Sequence, residues 1–127
     1  MTEPQHSPSE LAARLKALAD ETRIKMLVLL SRHDELCVCD FEYALSITQS
    51  KASRHLRYLY RARILDERRE GVWIHYRLAD DLHPTLKTII SSIQDAFDPG
   101  AFDDIEERLR PWLALGTCCP RRPCGDD

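Results

Sequence analysis

Hydrophobic positions along this chain recur with the period of a helix, then of a strand, then of a helix again. Leu11, Leu15 and Leu18 stand at i, i+4 and i+7, the stripe of an amphipathic helix that Ser9 is placed to cap. A second helix starts near Asp20, where Ile24, Leu27 and Val28 share one face and Met26, Leu29 and Leu30 widen it. After the polar break Ser31-Arg32-His33-Asp34, the spacing of Val38, Phe41 and Leu45 predicts a short third helix, with Cys37 and Cys39 flanking an inward Val38. Ser46 and Thr48 supply turn and capping chemistry before a fourth helix from Gln49 to Ala62. There Ala52, Leu56 and Leu59 form a narrow apolar stripe, and at about 100° per residue Ser50, Arg54, Arg57 and Arg61 fall on the opposite side.

The period then falls to two. Val72, Ile74, Tyr76 and Leu78 alternate with Trp73, His75 and Arg77 after a charged stretch ending in Gly71, which predicts a β-hairpin with charges and a glycine at its tip. Beyond Pro84, the positions of Leu86, Ile89, Ile90, Ile93 and Phe97 outline a further helix. After Asp98-Pro99-Gly100, Phe102, Ile105, Leu109 and Leu113 outline a shorter one. Two short helices joined by a tight polar turn and followed by a hairpin describe a winged helix-turn-helix, so the fold class is mainly α with a small β-hairpin. The last helices carry more apolar surface than a small domain buries alone, so the chain is expected to dimerise through its terminal helices. The organisation read from these patterns is an arm over residues 1–8, a domain over 9–113 and a Cys-rich tail over 114–127.

Composition agrees with one modest core: 127 residues, 43% hydrophobic and 31% charged. The longest apolar run, Met26 to Leu30, is far short of the roughly 18 to 20 residues of a membrane span, and the polar start lacks the features of a secretory signal. A cytoplasmic protein with no membrane partner is expected. Net charge is −3, but it is unevenly spread. From Gln49 to Arg77 eight Lys/Arg face three Asp/Glu, whereas from Asp80 to Arg110 three face eight. The basic half is the part that reads as helix-turn-helix and wing, which points to double-stranded DNA. Gln49, Ser50, Lys51, Ser53, Arg54 and Arg57 are the candidate contacts on the recognition helix, with Arg68 and Arg69 on the wing. His55 lies nearer the apolar stripe and reads as a packed structural histidine.

Five cysteines add a second chemistry. Cys37 and Cys39 precede the basic helix, and Cys118, Cys119 and Cys124 crowd a Gly/Pro-rich tail. An odd count without an export signal argues for reduced thiols, and thiolates select soft ions. The residues alone also allow a redox-sensing repressor or, less economically, a small thiol enzyme such as a reductase. The enzyme would need a base or an anion loop beside the nucleophile, and no such motif is visible. Disulfide formation between adjacent Cys118 and Cys119 would be strained, so a redox sensor would draw in Cys124 or a second chain.

The strings Glu35-Leu36-Cys37-Val38-Cys39-Asp40, Leu18-Ala19-Asp20-Glu21-Thr22-Arg23, Ser53-Arg54-His55-Leu56 and Gly71 to Leu78 together resemble the ArsR/SmtB family of metalloregulatory repressors, in its arsenic-responsive branch. The resemblance spans about Leu11 to Leu78. It implies a homodimeric repressor on the operator of an arsenic-resistance operon, released when As(III) or Sb(III) binds cysteine thiolates, with no organic cofactor. The familiar arsenic pattern places a third cysteine where this chain has Glu42. Trivalent arsenic takes three bonding positions, so Cys37 and Cys39 fall one short. Some members resembling this chain use an adjacent pair and a third cysteine near the C-terminus, which Cys118, Cys119 and Cys124 match. That triplet is the preferred metal site here. The alternative is a hybrid in which Cys37 and Cys39 join a tail cysteine. In an ideal helix the two would diverge by about 200°, so the hybrid is expected to require unwinding at the helix start. Zinc or cadmium sensing is the weaker reading, since the long C-terminal helix has no histidine after His83.

Overall fold

A computed structural model of the chain describes residues 6–115. Six helices and a three-stranded sheet follow one another as α1 (Pro8–Leu18), α2 (Glu21–Arg32), β1 (Leu36–Cys37), α3 (Val38–Leu45), α4 (Gln49–Arg61), β2 (Leu65–Glu70), β3 (Trp73–Leu78), α5 (Pro84–Asp95) and α6 (Asp103–Leu113). Helix α1 starts earlier than a Ser9 cap would place it. Ser7 accepts from the amide of Glu10 at 3.1 Å while the Glu10 carboxylate takes the amide of Ser7 at 2.9 Å, and Pro8 occupies the first helical position, where its missing N–H costs nothing. Asp20 caps α2 through the amide of Arg23 at 3.0 Å, and Thr48 caps α4 through that of Lys51 at 3.1 Å.

Helix α2 runs through the centre. Met26, Leu27, Val28, Leu29 and Leu30 are all buried, and the core continues through Phe41, Ala44, Ala52, Leu56, Leu59, Ile64, Leu65, Tyr76 and Leu86. Burying each such Leu contributes about 2 kcal/mol. The two helices of the helix-turn-helix meet across Ser46, the left-handed residue that closes α3 (φ 55°). The hairpin β2–β3 pairs Leu65 with Leu78 through to Glu70 with Trp73, leaving Gly71 and Val72 as a two-residue loop. Only Gly71 is left-handed there (φ 66°), the pattern of a type II′ turn.

Three features differ from the periodicity reading. A third strand, β1, pairs antiparallel with β3, setting Leu36 opposite Tyr76 and Cys37 opposite His75. Two residues are too short to show alternation, so the pattern hid it. Cys37 and Cys39 are the buried positions and Val38 is only half-buried, the reverse of an inward Val38, because β1 turns this segment onto the sheet before the helix begins. Finally, the two C-terminal helices use their apolar faces differently. Helix α6 lies on α3 of its own chain and buries Phe102, Leu109 and Trp112. Helix α5 buries Leu86 and Ile90 but leaves Ile89 and Ile93 half-buried and Phe97 exposed, while α1 leaves Leu15 exposed.

Candidate nucleic-acid interface and cysteine site

Helix α4 is held from behind and open in front. Ala52, Leu56 and Leu59 have no exposed surface, whereas Gln49, Ser50, Lys51, Arg54 and Arg57 face solvent and Ser53 is half-buried. No acidic residue occurs in the first turn of α4. The unpaired amides and positive dipole end of the helix therefore add to the field of Lys51 and Arg54, an arrangement suited to phosphate.

Behind α4 sits a polar support. The guanidinium of Arg23 donates to the carbonyl of Ala17 at 2.7 Å and contacts Nδ1 of His55 at 3.0 Å, with its Cζ 4.1 Å from the ring centre of Tyr58. Since arginine only donates, His55 must accept at Nδ1 and be neutral, which fits its role as a packed residue. Burial, together with the charges of Arg23, Arg54 and Lys51, holds the His55 pKa below its ordinary value against the opposing pull of Asp20. For Asp20, burial pushes upward, but the Arg23 amide and guanidinium and the nearby His55 outweigh it and leave the carboxyl below its usual range.

The wing divides its two arginines. Arg68 is committed: its Nη2 and Nε donate to the Glu35 carboxylate at 2.6 and 3.0 Å, and its Nη1 to Glu70 at 3.3 Å. That fork lowers the Glu35 pKa, chiefly through the hydrogen bond from Arg68. Arg68 thus ties the wing to the turn before β1 and is a poorer candidate for phosphate than the sequence alone implies. Arg69 projects from the opposite face of β2, more exposed, with its nearest carboxylate, that of Glu67, at 4.0 Å. Beneath it Tyr76 is buried, which with the charge and hydrogen bond of Glu67 pushes its phenol up to about 12.

Cys37 and Cys39 lie at the start of α3. Cys37 is 1% and Cys39 8% exposed, and Cys37 has extended backbone as the N-cap of α3. Cys37 precedes the helix, so the ideal-helix angle of about 200° does not describe this pair. Glu42, in the place of a third cysteine, is half-buried. Among the described residues no three His, Cys, Asp or Glu cluster closely enough to hold an ion. Cys118, Cys119 and Cys124 lie outside the described residues.

The residue that sequence reasoning passed over is Asp40. Its carboxylate is buried and two-handed: Oδ2 accepts from the Cys37 amide at 2.8 Å and Oδ1 from the indole N–H of Trp112 at 2.7 Å. The Cys-x-x-Asp spacing, with a carboxylate at the third helical position, is the local signal that could have found the first bond. Trp112 also stacks on Tyr43 at 4.4 Å and 13°. At the far end of α3 the Arg108 guanidinium donates twice to the carbonyl of Ala44, at 2.6 and 3.1 Å.

Comparison with known proteins matches residues 20–67 to the family described as "Bacterial regulatory protein, arsR family". The chain is 41% identical over 100 residues to the arsenic resistance transcriptional regulator ArsR1 of Pseudomonas putida, covering 76% of this chain and 78% of that protein. It is 52% identical over 75 residues to the arsenical resistance operon repressor of Escherichia coli, covering 59% and 64% respectively. Among solved structures, the AntR antimony-specific transcriptional repressor superposes with a TM-score of 0.55 and 34% identity, over 69% of this chain and 80% of that one. The homodimeric winged helix-turn-helix domain of Mb0332 from Mycobacterium bovis gives 0.60 and 25%, over 75% and 89%.

Proposed function

Because this chain belongs to the arsR family of bacterial regulatory proteins, we propose that it represses an arsenic-resistance operon and leaves the operator when trivalent arsenic or antimony binds its thiolates. One observation carries the reading: a cysteine pair at the start of α3 and the open basic face of α4 belong to the same helix-turn-helix, whose two helices pack together, so a change at α3 is felt by α4. The arsenic-resistance regulator and the antimony-specific repressor among its relatives support the choice of inducer.

The DNA-reading form is a homodimer. The apolar positions left uncovered on α1 and α5, with Leu15 and Phe97 exposed, are the surfaces for a second copy, as the homodimeric relative suggests. Two copies of α4 then enter successive major grooves about 34 Å apart, with Gln49, Ser50, Lys51, Ser53, Arg54 and Arg57 as contacts and Arg69 at the wing. The protein acts in the cytoplasm, where its thiols stay reduced, and performs no catalysis.

The ion is held by Cys118, Cys119 and Cys124, a complete three-sulfur set. A second reading draws in Cys37 and Cys39, and the position of Trp112 favours it. The indole is bonded to the residue next to Cys39, and Cys118 follows six residues later, a span of at most ~20 Å of chain. Because Cys37 is already extended, no helix turn has to unwind for it.

Arsenite-driven release of the reduced dimer from operator DNA, followed by gel shift, tests the function. Unchanged DNA binding at saturating arsenite refutes it, and release by peroxide but not arsenite turns the protein into a redox sensor. A full response in the Cys118→Ser/Cys119→Ser double variant refutes the tail site, and a full response in Cys37→Ala/Cys39→Ala refutes the hybrid.

A further inference from the structure

Helix α6 grips α3 at both ends and is itself anchored to α2. Arg108 closes the C-terminal carbonyl of Ala44, Trp112 reaches Asp40 at the N-terminal end, and Glu106 takes Nε2 of His33 at 3.0 Å. Asp40 and Glu106 are each 4% exposed and Trp112 7%, so these bonds work where water does not compete. Residues Phe41 and Ala44 of α3 belong to the same core as Ala52 and Leu56 of α4. The path from the chain end to the DNA-facing helix is therefore continuous: α6, the Asp40 carboxylate, α3, α4.

We propose that Asp40 is the positioning residue that couples ion capture to DNA release, by joining the amide of Cys37 to the indole of Trp112 through a single carboxylate. The inference rests on the function proposed above and adds a component to it. A carboxylate with both oxygens engaged cannot follow a displaced α6 and also keep its bond to Cys37. When thiolates close on an ion, on the tail beyond α6 or at the start of α3, one end of the bridge moves. The other end must then move with it or lose its bond. Either outcome shifts α3, and α4 shifts with it through the shared core.

The test compares Asp40→Asn, which keeps shape but sets an amide donor against one of two donors, with Trp112→Phe, which keeps an aromatic ring beside Tyr43 and removes the N–H with part of the indole. The readout is the ratio of operator Kd with saturating arsenite to that without, in the full-length dimer. A ratio of roughly 5 to 150 is typical of allosteric coupling, and both variants are expected to retain less than about a third of the wild-type ratio, with ion-free Kd within about threefold and arsenite stoichiometry unchanged. A merely structural role would lower ion-free affinity and leave the ratio alone, and that result overturns the proposal. A wild-type ratio of one refutes the repressor reading itself, and the coupling with it. A spectroscopic arm needs neither variant to fold: in Trp73→Phe, Trp112 is the sole tryptophan, and arsenite is expected to shift its emission. DNA release with no change in that emission also overturns the proposal.

Discussion

The guanidinium of Arg23 meets Nδ1 of His55 across 3.0 Å, joining the first turn of α2 to the inner side of the DNA-facing helix. The bond requires a neutral imidazole, and the histidine's pKa lies below its ordinary 6.5 mainly because the ring is buried. The unfolded chain therefore takes up a proton at higher pH than the folded one. Stability from this site is complete above pH 6.5 and falls as pH drops through that value toward the lower folded pKa. Urea midpoints measured from pH 7.5 down to about 5 are expected to decline more steeply in the wild type than in His55→Asn, whose Oδ1 accepts the same bond without titrating. Equal slopes would show that His55 does not set the pH response.

Glu106 is buried beside Nε2 of His33 at 3.0 Å and two guanidinium groups, with nitrogens of Arg32 and Arg110 each at 3.4 Å. Replacing it by Ala leaves the half-buried His33 ring without its carboxylate partner and frees α6 from α2. The expected cost is about 2 to 4 kcal/mol in chemical denaturation. A loss under about 0.5 kcal/mol, the usual range for a surface change, would contradict the role given to this carboxylate.

On the DNA side the arginines should separate into two classes. Arg54→Ala and Arg57→Ala are expected to weaken operator binding by about 1 to 3 kcal/mol, and any that meets only phosphate should reduce the salt slope by roughly one. Arg68→Ala should leave the salt slope nearly unchanged, because its guanidinium already serves Glu35 and Glu70. Titrations at several salt concentrations distinguish these outcomes, and a large slope change in Arg68→Ala would move that residue back to the interface.

Gly71 turns the wing with φ 66°, and a Cβ there would touch nothing within 4 Å. Any penalty in Gly71→Ala is thus backbone strain and not a clash, about 1 kcal/mol. Gly71→Asn should recover part of it, since asparagine tolerates the left-handed region better. Thermal unfolding of the two variants checks the order.

The solvent face of α4 is legible in the sequence. Gln49 to Arg57 could be assigned to a solvent face because Ala52, Leu56 and Leu59 define the opposite one, and helical geometry converts that stripe into a direction. Periodicity sets Cys37 at the edge of a helix, whereas the structure gives it extended backbone. Its backbone is governed by pairing with His75, 38 positions away in sequence, and not by the helix it adjoins. The charge of Arg68 is visible in the sequence, whereas its partner Glu35, 33 positions away, is not identifiable as such.

The chain by itself determined the order of helices and hairpin, the basic side of α4 and the presence of thiols near both, since each depends on periods of two to four residues and on local composition. Only the tertiary structure decided that α6 lies on α3, that Asp40 joins Cys37 to a tryptophan 72 positions later, and that Arg68 pairs with Glu35. Those relationships arise where distant segments bury polar groups together. A carboxylate sealed from water needs donors, and the path of the chain settles which donors are within reach.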